Sequence, residues 1–357
     1  MVLVSVNQLK PGVRLERDVM TARDNLLLAK GVMLSPREIE ILSSFLIQKV
    51  YIDGSAATPE QIEEDIQQQS GKKTSESHAA LYQEYFKLFD LLKRSFSLVG
   101  SGAALPVLDI RNRIEALLVH ISEYQVLLFK PPKSVLQDYH FHHSVQVAMT
   151  SYKLAKWHGF EQKDLIPIAI AGLMKDIGNA KLDPALLAKS SSLTSSELAE
   201  VRAHTKTGYT ILKNVAAFNE GTKLVAVQHH EREDGSGYPL GLQGDKIHPY
   251  SKVVAIADIY HAMSTNRSYR QAISPYIVLE ELLQYSFGKL DPAIVRTFIT
   301  KITQFHTGTI VKLNDNRIGE IVFSQREYPT RPWVNVNGSI INLTTDRSLY
   351  IQEVIQQ

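Results

Sequence analysis

The residues best suited to chemistry lie in one short stretch, HHEREDGSGYPLGLQGDKI, at positions 229–247. His229 and His230 end an apolar run with the pattern of a helix, and several Gly and Pro residues follow them. Imidazole is the commonest metal ligand in proteins. Gly and Pro favour a loop because they permit or fix backbone angles that other residues resist. The stretch therefore predicts a metal-binding edge beside a stiff loop. The alternative is a solvent-exposed helix end that carries two histidines.

The surrounding sequence favours the metal site. Nine of the twelve histidines lie between positions 140 and 261. In the same span, Asp176 ends the apolar run IAIAGLMKD and Asp258 lies in the apolar run SKVVAIAD. Aspartate is rarely buried unless it is paired or bound to a metal. We therefore expect both carboxylates to converge with the histidines. The candidate ligands are His143, Asp176, His204, His229, His230 and Asp258.

The composition limits the kind of ion. The chain has no cysteine, so a metal would be held by imidazole and carboxylate groups. This mixture favours iron, manganese or zinc over calcium or magnesium. The set is large enough for two ions, with Asp176 as the bridging carboxylate.

The overall composition is that of an ordinary globular protein. Its net charge of +2 gives no general attraction to nucleic acid or membrane. The N-terminal segment lacks the features of a signal peptide, and no apolar run approaches the ~20 residues of a membrane helix. We expect a cytoplasmic protein with no DNA, RNA or membrane partner.

Hydrophobic periodicity predicts a mainly α-helical fold: a helical bundle core, a small N-terminal α/β unit and a small C-terminal antiparallel β module. The predicted segments are an accessory unit at 1–54, a polar linker at 55–78, a helical connector at 79–135, the helical domain at 136–304 and the β module at 305–357.

These motifs resemble the HD-GYP subgroup of the HD metal-dependent phosphohydrolases. The resemblance covers residues 140–304, about half of the chain, and includes the 229–247 stretch, LMKDIG, the spacing from His204 to Gly208, and ADIYHAMSTNRSYR. It implies an HD-type helical bundle that hydrolyses cyclic di-GMP to pGpG or GMP. It also implies that the six candidate ligands bind metal. By position, it implies that substrate is contacted by Gly237, Tyr238, Pro239, Arg267 and Arg270.

The sequence departs from the family pattern at several positions. The His-Asp pair that names the family is Lys175-Asp176 here, and Asn179 stands where a lysine is usual. An ammonium group has no lone pair and cannot ligate a cation. We therefore predict one bound ion rather than two, with the Lys175 ammonium near the second position. The alternative is that Lys175 extends into solvent.

Two further departures concern His261 and Tyr139. His261 replaces an aspartate, and Tyr139 stands where trinuclear members carry a glutamate. His261 lies on the same helix face as Asp258, so it is either a replacement ligand or a hydrogen-bonded core residue, and the second is the commoner fate. His140 and His142 flank His143 on the helix, and we expect them to be surface residues.

Two functions remain open. The first is a phosphodiesterase that acts on cyclic di-GMP with weakened activity. The second is a catalytically degenerate protein that binds cyclic di-GMP, or partner signalling proteins through the Gly-Tyr-Pro loop or the N-terminal unit. Hydrolysis of another phosphate ester is disfavoured by the Gly-Tyr-Pro loop. Homodimer formation is left open.

Overall fold

The structure is a computed structural model. It describes residues 2–6, 9–21, 25–45, 47–52, 72–129, 138–187, 189, 191–265, 273–304 and 307–356. Contacts divide the chain into two compact units. The helical unit comprises Ala80–Thr303, and the mixed unit combines Met1–Ala79 with Gln304–Gln357. The division into five segments stays a prediction.

The helices after the N-terminal region follow in sequence with short connections. They are α2 (Lys72–Ser101), α3 (Val107–Val119), α4 (Tyr139–His158), α5 (Gln162–Met174), α6 (Pro184–Leu187), α7 (Ser195–Arg202), α8 (His204–Leu212), α9 (Glu220–Gln228), α10 (Pro249–Ser264), α11 (Pro275–Tyr285) and α12 (Pro292–Ile302). Helix α2 begins inside the segment predicted as a linker, and residues 53–71 lie outside the described residues. No helix among the described residues has the length and hydropathy needed to span a bilayer.

Local sequence fixes several helix ends. The Thr194 side chain accepts a hydrogen bond from Glu197 N while the Glu197 side chain accepts one from Thr194 N, which confirms the predicted capping box of α7. Helix α4 ends at Gly159 with φ 93°, a left-handed angle that costs glycine little.

Helices α4 and α5 form the centre of the helical unit. Helix α5 is almost wholly buried from Leu165 to Met174, as its apolar sequence predicts. A Cβ at Gly172 would lie 3.2 Å from Ala148 Cα, so the missing side chain lets the two helices approach closely. This close packing fixes the end of α5, where Lys175 and Asp176 follow.

The strands of the mixed unit are β1 (Val2–Ser5), β2 (Val13–Arg14), β3 (Val19–Met20), β4 (Leu26–Leu28), β5 (Met33–Leu34), β6 (Lys49–Ile52), β7 (Ile310–Leu313), β8 (Ile318–Phe323), β9 (Trp333–Val336), β10 (Ser339–Asn342) and β11 (Ile351–Gln356). Its helix is α1 (Pro36–Ser44). The last five strands form one antiparallel sheet in the order β10-β9-β8-β7-β11.

The sheet confirms the predicted C-terminal β module. Asn337 and Gly338 join β9 to β10 with φ angles of 51° and 88°, which is the geometry that favours Asn-Gly in a two-residue hairpin. The buried side chains of Ile310 and Ile318 belong to the same apolar cluster as Leu15 and Leu42. The N-terminal and C-terminal segments therefore share one core, which the sequence did not predict.

Candidate metal centre

A tight crossing of two backbones brings Asp176 next to His204. Asp176 directly precedes a 3-10 turn at Ile177–Lys181, and His204 is the first residue of α8. A Cβ at Gly178 would overlap the carbonyl oxygen of His204 and lie 2.7 Å from Gly208 N. Glycine at position 178 thus lets the turn lie against the first turn of α8.

The other two members of the cluster follow the last residue of α9. His229 is the C-cap of α9, and His230 follows it directly. One ligand atom from each of Asp176, His204, His229 and His230 lies within 4.8 Å of the others. The Nε2 atoms of His204 and His229 are 3.4 Å apart, and Asp176 Oδ1 lies 3.4 Å and 3.5 Å from them. We call this set the four-residue cluster.

Hydrogen bonding on the far side of each ring shows which nitrogen faces the cluster. His204 Nδ1 lies 2.6 Å from the carbonyl oxygen of Val201, and His229 Nδ1 lies 2.9 Å from that of Val225. A carbonyl oxygen only accepts, so each Nδ1 carries the hydrogen and each neutral ring presents a lone pair on Nε2. Metal-bound histidines are oriented in this way by backbone carbonyls.

Burial favours the neutral rings. It lowers the pKa of His229, despite the opposing effect of the Asp176 carboxylate, and lowers that of His230 to well below the ordinary value. With the rings neutral, two Nε2 lone pairs and Asp176 Oδ1 face one another with no hydrogen between them. Acceptors arranged in this way repel each other unless a cation lies among them, so the donor set fits a divalent metal ion.

A second group of side chains adjoins the first. Ligand atoms of His143, Asp176 and Asp258 also lie within 4.8 Å of one another, so Asp176 belongs to both groups, as expected for a bridging carboxylate. His143 Nε2 is 2.7 Å from Asp258 Oδ1. The structure thus brings together all six candidate ligands around Asp176.

Lys175 lies within the second group. Its side chain is 1% exposed, so the alternative that it extends into solvent is wrong. The ammonium contacts Asp176 Oδ2 and lies 2.9 Å from Asp258 Oδ1. Burial alone would lower the pKa of Lys175, but the two carboxylates outweigh burial and leave it raised. Burial would likewise raise the pKa of Asp176 and Asp258, but Lys175 and the histidines hold both well below the ordinary value.

The Gly-Tyr-Pro loop is fixed to the end of α9 by a buried carboxylate. Glu231 is 2% exposed, and its two oxygens accept hydrogen bonds from the backbone N–H groups of Leu240 at 2.7 Å and Leu242 at 2.9 Å. A Cβ at Gly237 would lie 2.5 Å from Glu231 Cα and His230 O, so only glycine fits where the loop passes the histidine. Pro239 continues the loop and is partly buried.

Tyr238 covers one of the cluster histidines. Its ring stacks on that of His230, with centroids 4.6 Å apart and planes 23° apart. Arg202 Cζ lies 4.7 Å from the centre of the Tyr238 ring. Arg202, at the end of α7, was not predicted as a site residue, because an arginine at a helix end is usually a surface charge.

Several other predicted positions have different outcomes. Arg267 and Arg270 lie outside the described residues. Asn179 follows the metal-side turn, and its buried Oδ1 has no hydrogen-bond partner among the described residues. His261 is 2% exposed and hydrogen-bonded through Nε2 to Thr150 Oγ1 at 2.7 Å, and it is in neither ligand group. It is thus a hydrogen-bonded core residue.

The expectation that His142 lies at the surface is wrong. His142 is 4% exposed, whereas His140 is exposed as expected. The His142 ring stacks on Phe89, with centroids 4.1 Å apart, and its Nδ1 lies 2.7 Å from the Tyr85 hydroxyl oxygen. One residue along a helix turns a side chain by about 100°, which carries His142 away from the metal side and into the aromatic side chains of α2.

Comparison with known proteins identifies the fold family. The model of the HD domain family matches residues 128–294. Residues 128–294 belong to the HD domain family. All six candidate ligands and the Gly-Tyr-Pro loop lie within this HD domain, and Lys175-Asp176 stands at its name-giving pair.

Proteins with related sequences are named as cyclic-dinucleotide phosphodiesterases. A cyclic di-GMP phosphodiesterase of Pseudomonas aeruginosa is 28% identical over 185 residues, which is 52% of this chain and 44% of the relative. The cyclic di-GMP phosphodiesterase PdeB of Borreliella burgdorferi is 26% identical over 224 residues, which is 62% of this chain and 59% of the relative. A 3'3'-cGAMP-specific phosphodiesterase of Vibrio cholerae is 30% identical over 164 residues, which is 46% of this chain and 31% of the relative.

The chain thus spans between 31% and 59% of the length of these relatives. Among solved structures, an HD-GYP-type protein of Bdellovibrio bacteriovorus matches 83% of this chain and 97% of its own, with 17% identity and a TM-score of 0.44.

Proposed function

We propose that the chain is a metal-dependent phosphodiesterase that hydrolyses cyclic di-GMP to pGpG or GMP. The observation that carries the proposal is the convergence of Asp176 Oδ1 with the Nε2 lone pairs of His204 and His229, next to the loop that holds Tyr238. The names of the related proteins support the same substrate class.

The four-residue cluster is the proposed site for iron, manganese or zinc. A divalent ion bound there would make a water molecule more acidic and would neutralise charge on the phosphate. The protein holds the two histidines ready for this task, because the carbonyl oxygens of Val201 and Val225 fix the orientation of the rings. Asp176 adds a negative charge that raises the affinity for the cation.

The residues around the Gly-Tyr-Pro loop form the proposed substrate contact. Tyr238 offers an aromatic face, and Arg202, Arg267 and Arg270 offer guanidinium groups. A guanidinium group pairs with phosphate through a planar fork and also stacks on bases. Because Glu231 ties the loop to the end of α9, the loop and the cluster form one preorganised surface. Such positioning is a large part of catalysis in phosphoryl transfer.

A second function is favoured by the substituted positions. Lys175 and Asn179 replace groups that the resemblance associates with a second ion and with phosphate positioning. Loss of positioned charge lowers the rate of phosphoryl transfer by orders of magnitude. The chain would then bind cyclic di-GMP, or a signalling protein, without turnover.

A turnover assay separates the two functions. Purified protein loaded with manganese or iron is incubated with cyclic di-GMP, and products are separated by chromatography, with His230→Ala as the control. Product above the level of the control supports the phosphodiesterase. Saturable binding of cyclic di-GMP by calorimetry, without product, supports the receptor.

A further inference from the structure

The two ligand groups differ in the state of their histidine nitrogens. In the four-residue cluster, the Nε2 atoms of His204 and His229 present lone pairs. In the second group, His143 Nε2 faces Asp258 Oδ1 at 2.7 Å. Because an ionised carboxylate only accepts, His143 Nε2 must carry a hydrogen and donate it. The first group is therefore open to a cation, and the second has its donors and acceptors already paired.

The carboxylates of the second group are paired in the same way. Asp258 Oδ1 receives both His143 Nε2 and the Lys175 ammonium, at 2.7 Å and 2.9 Å. Asp176 is divided between the groups, because its Oδ1 faces the histidines of the cluster and its Oδ2 faces Lys175. Asp176 thus bridges a cation site and an ammonium in the manner in which a carboxylate bridges two metal ions.

Burial makes this arrangement permanent. The Lys175 side chain is 1% exposed and lies between two carboxylates that are 16% and 11% exposed. A buried ammonium is tolerated where opposite charges compensate it, and removal of one partner leaves the others uncompensated. A metal ion that entered the second group would have to displace the ammonium into an environment without those partners.

We propose that Lys175 is a built-in replacement for a second metal ion, so that this HD domain forms a single-ion centre. The ammonium holds Asp258 and His143 in place and gives Asp176 its second cationic partner, whether or not the first ion is bound. This inference rests on the proposed metal site, and it concerns the number of ions rather than the reaction.

The test counts bound ions in the full-length protein. Apo protein is titrated with Mn²⁺ or Zn²⁺, and the bound metal is measured by equilibrium dialysis and elemental analysis. We expect one tight ion per chain for the wild type and two for Lys175→His, because an imidazole supplies the lone pair that the ammonium lacks. The matched control is Lys153→Met, which removes a partly buried lysine that donates to the Tyr124 carbonyl oxygen, and it should bind one ion.

A second variant keeps the test decisive if Lys175→His folds poorly. In Lys175→Met the carboxylates lose their cation, so the apo protein should melt at a lower temperature than the wild type, and excess metal should restore more of its stability than it adds to Lys153→Met. Two tight ions in the wild type would overturn the inference and leave the proposed phosphodiesterase intact. One ion without turnover would support the inference and contradict the proposed function. No bound ion would contradict both, as would equal metal responses of Lys175→Met and Lys153→Met for the inference alone.

Discussion

The ring of Tyr238 stacks on the ring of His230, with centroids 4.6 Å apart. This contact joins the Gly-Tyr-Pro loop to a member of the four-residue cluster. A residue of the proposed substrate surface therefore also fixes the orientation of a proposed metal ligand, and changes in the loop should affect both.

The first prediction concerns the two parts of the Tyr238 side chain. Burial raises the pKa of the phenol, so it stays neutral and does not act as a base near neutral pH. Tyr238→Phe should therefore keep most of the turnover. Tyr238→Ala removes the stacked ring and should lower kcat/KM by about tenfold, the scale of an aromatic pair. Steady-state hydrolysis of cyclic di-GMP measures both variants, and equal losses would show that the hydroxyl group, not the ring, matters.

The second prediction concerns Glu231. Glu231→Gln removes the charge that accepts hydrogen bonds from Leu240 N and Leu242 N, and hydrogen bonds to charged groups contribute about 1.5–3 kcal/mol. The loop should loosen, so KM should rise by about tenfold while the metal content stays unchanged.

The matched control for that change is Asp234→Asn. Asp234 is exposed in the same loop, and its Oδ1 accepts a hydrogen bond from Ser236 N, which an asparagine oxygen can also do. The control should behave as the wild type. Loss of metal from Glu231→Gln would contradict the account, because it would mean that Glu231 holds the cluster rather than the loop.

The third prediction concerns the crossing at Gly178. Gly178→Ala places a Cβ against the His204 carbonyl oxygen and should destabilise the fold by about 3 kcal/mol and weaken metal binding. Gly208→Ala meets its nearest atom at 3.3 Å and should cost about 1 kcal/mol. Urea denaturation gives both values. The reverse order of the two losses would contradict the described crossing.

The fourth prediction concerns pH. Burial lowers the pKa of His261 to about 3, whereas an unfolded histidine has the ordinary value near 6.5. Below pH 6.5 the unfolded state therefore binds the proton more readily, and the free energy of unfolding falls as the pH falls from 6.5 towards 3. The slope from this group is about 1.4 kcal/mol per pH unit at most.

His261→Gln removes that titration and keeps a group that can hydrogen-bond to Thr150. Its free energy of unfolding should fall less steeply than that of the wild type between pH 6.5 and 4, as measured by urea denaturation at each pH. His140→Gln, at an exposed position, should retain the wild-type slope. Equal slopes for all three proteins would show that His261 is not held neutral by burial.

The sequence predicted the chemistry of the site well because ligand types are visible without coordinates. Asp176 and Asp258 stood out as charged residues in apolar helices, and His229 and His230 as a pair before a Gly-rich loop. The pairing of Lys175 with both carboxylates needed coordinates, because an ammonium on a long side chain can reach either solvent or a buried partner.

Other features depend on contacts between distant segments. His142 was placed at the surface because its own helix gave no sign of Tyr85 and Phe89 packing on it from α2. The common core of Leu15 and Ile318 joins segments about three hundred residues apart, and no local pattern encodes such a pairing.

The most direct test of the central claim is to measure metal content and cyclic di-GMP turnover together, in the wild type and in His229→Ala. The claim is that the four-residue cluster binds a divalent ion that supports hydrolysis. It predicts bound metal and product for the wild type, and loss of both for His229→Ala while the protein remains folded by circular dichroism. Full metal content and undiminished turnover in His229→Ala would contradict it.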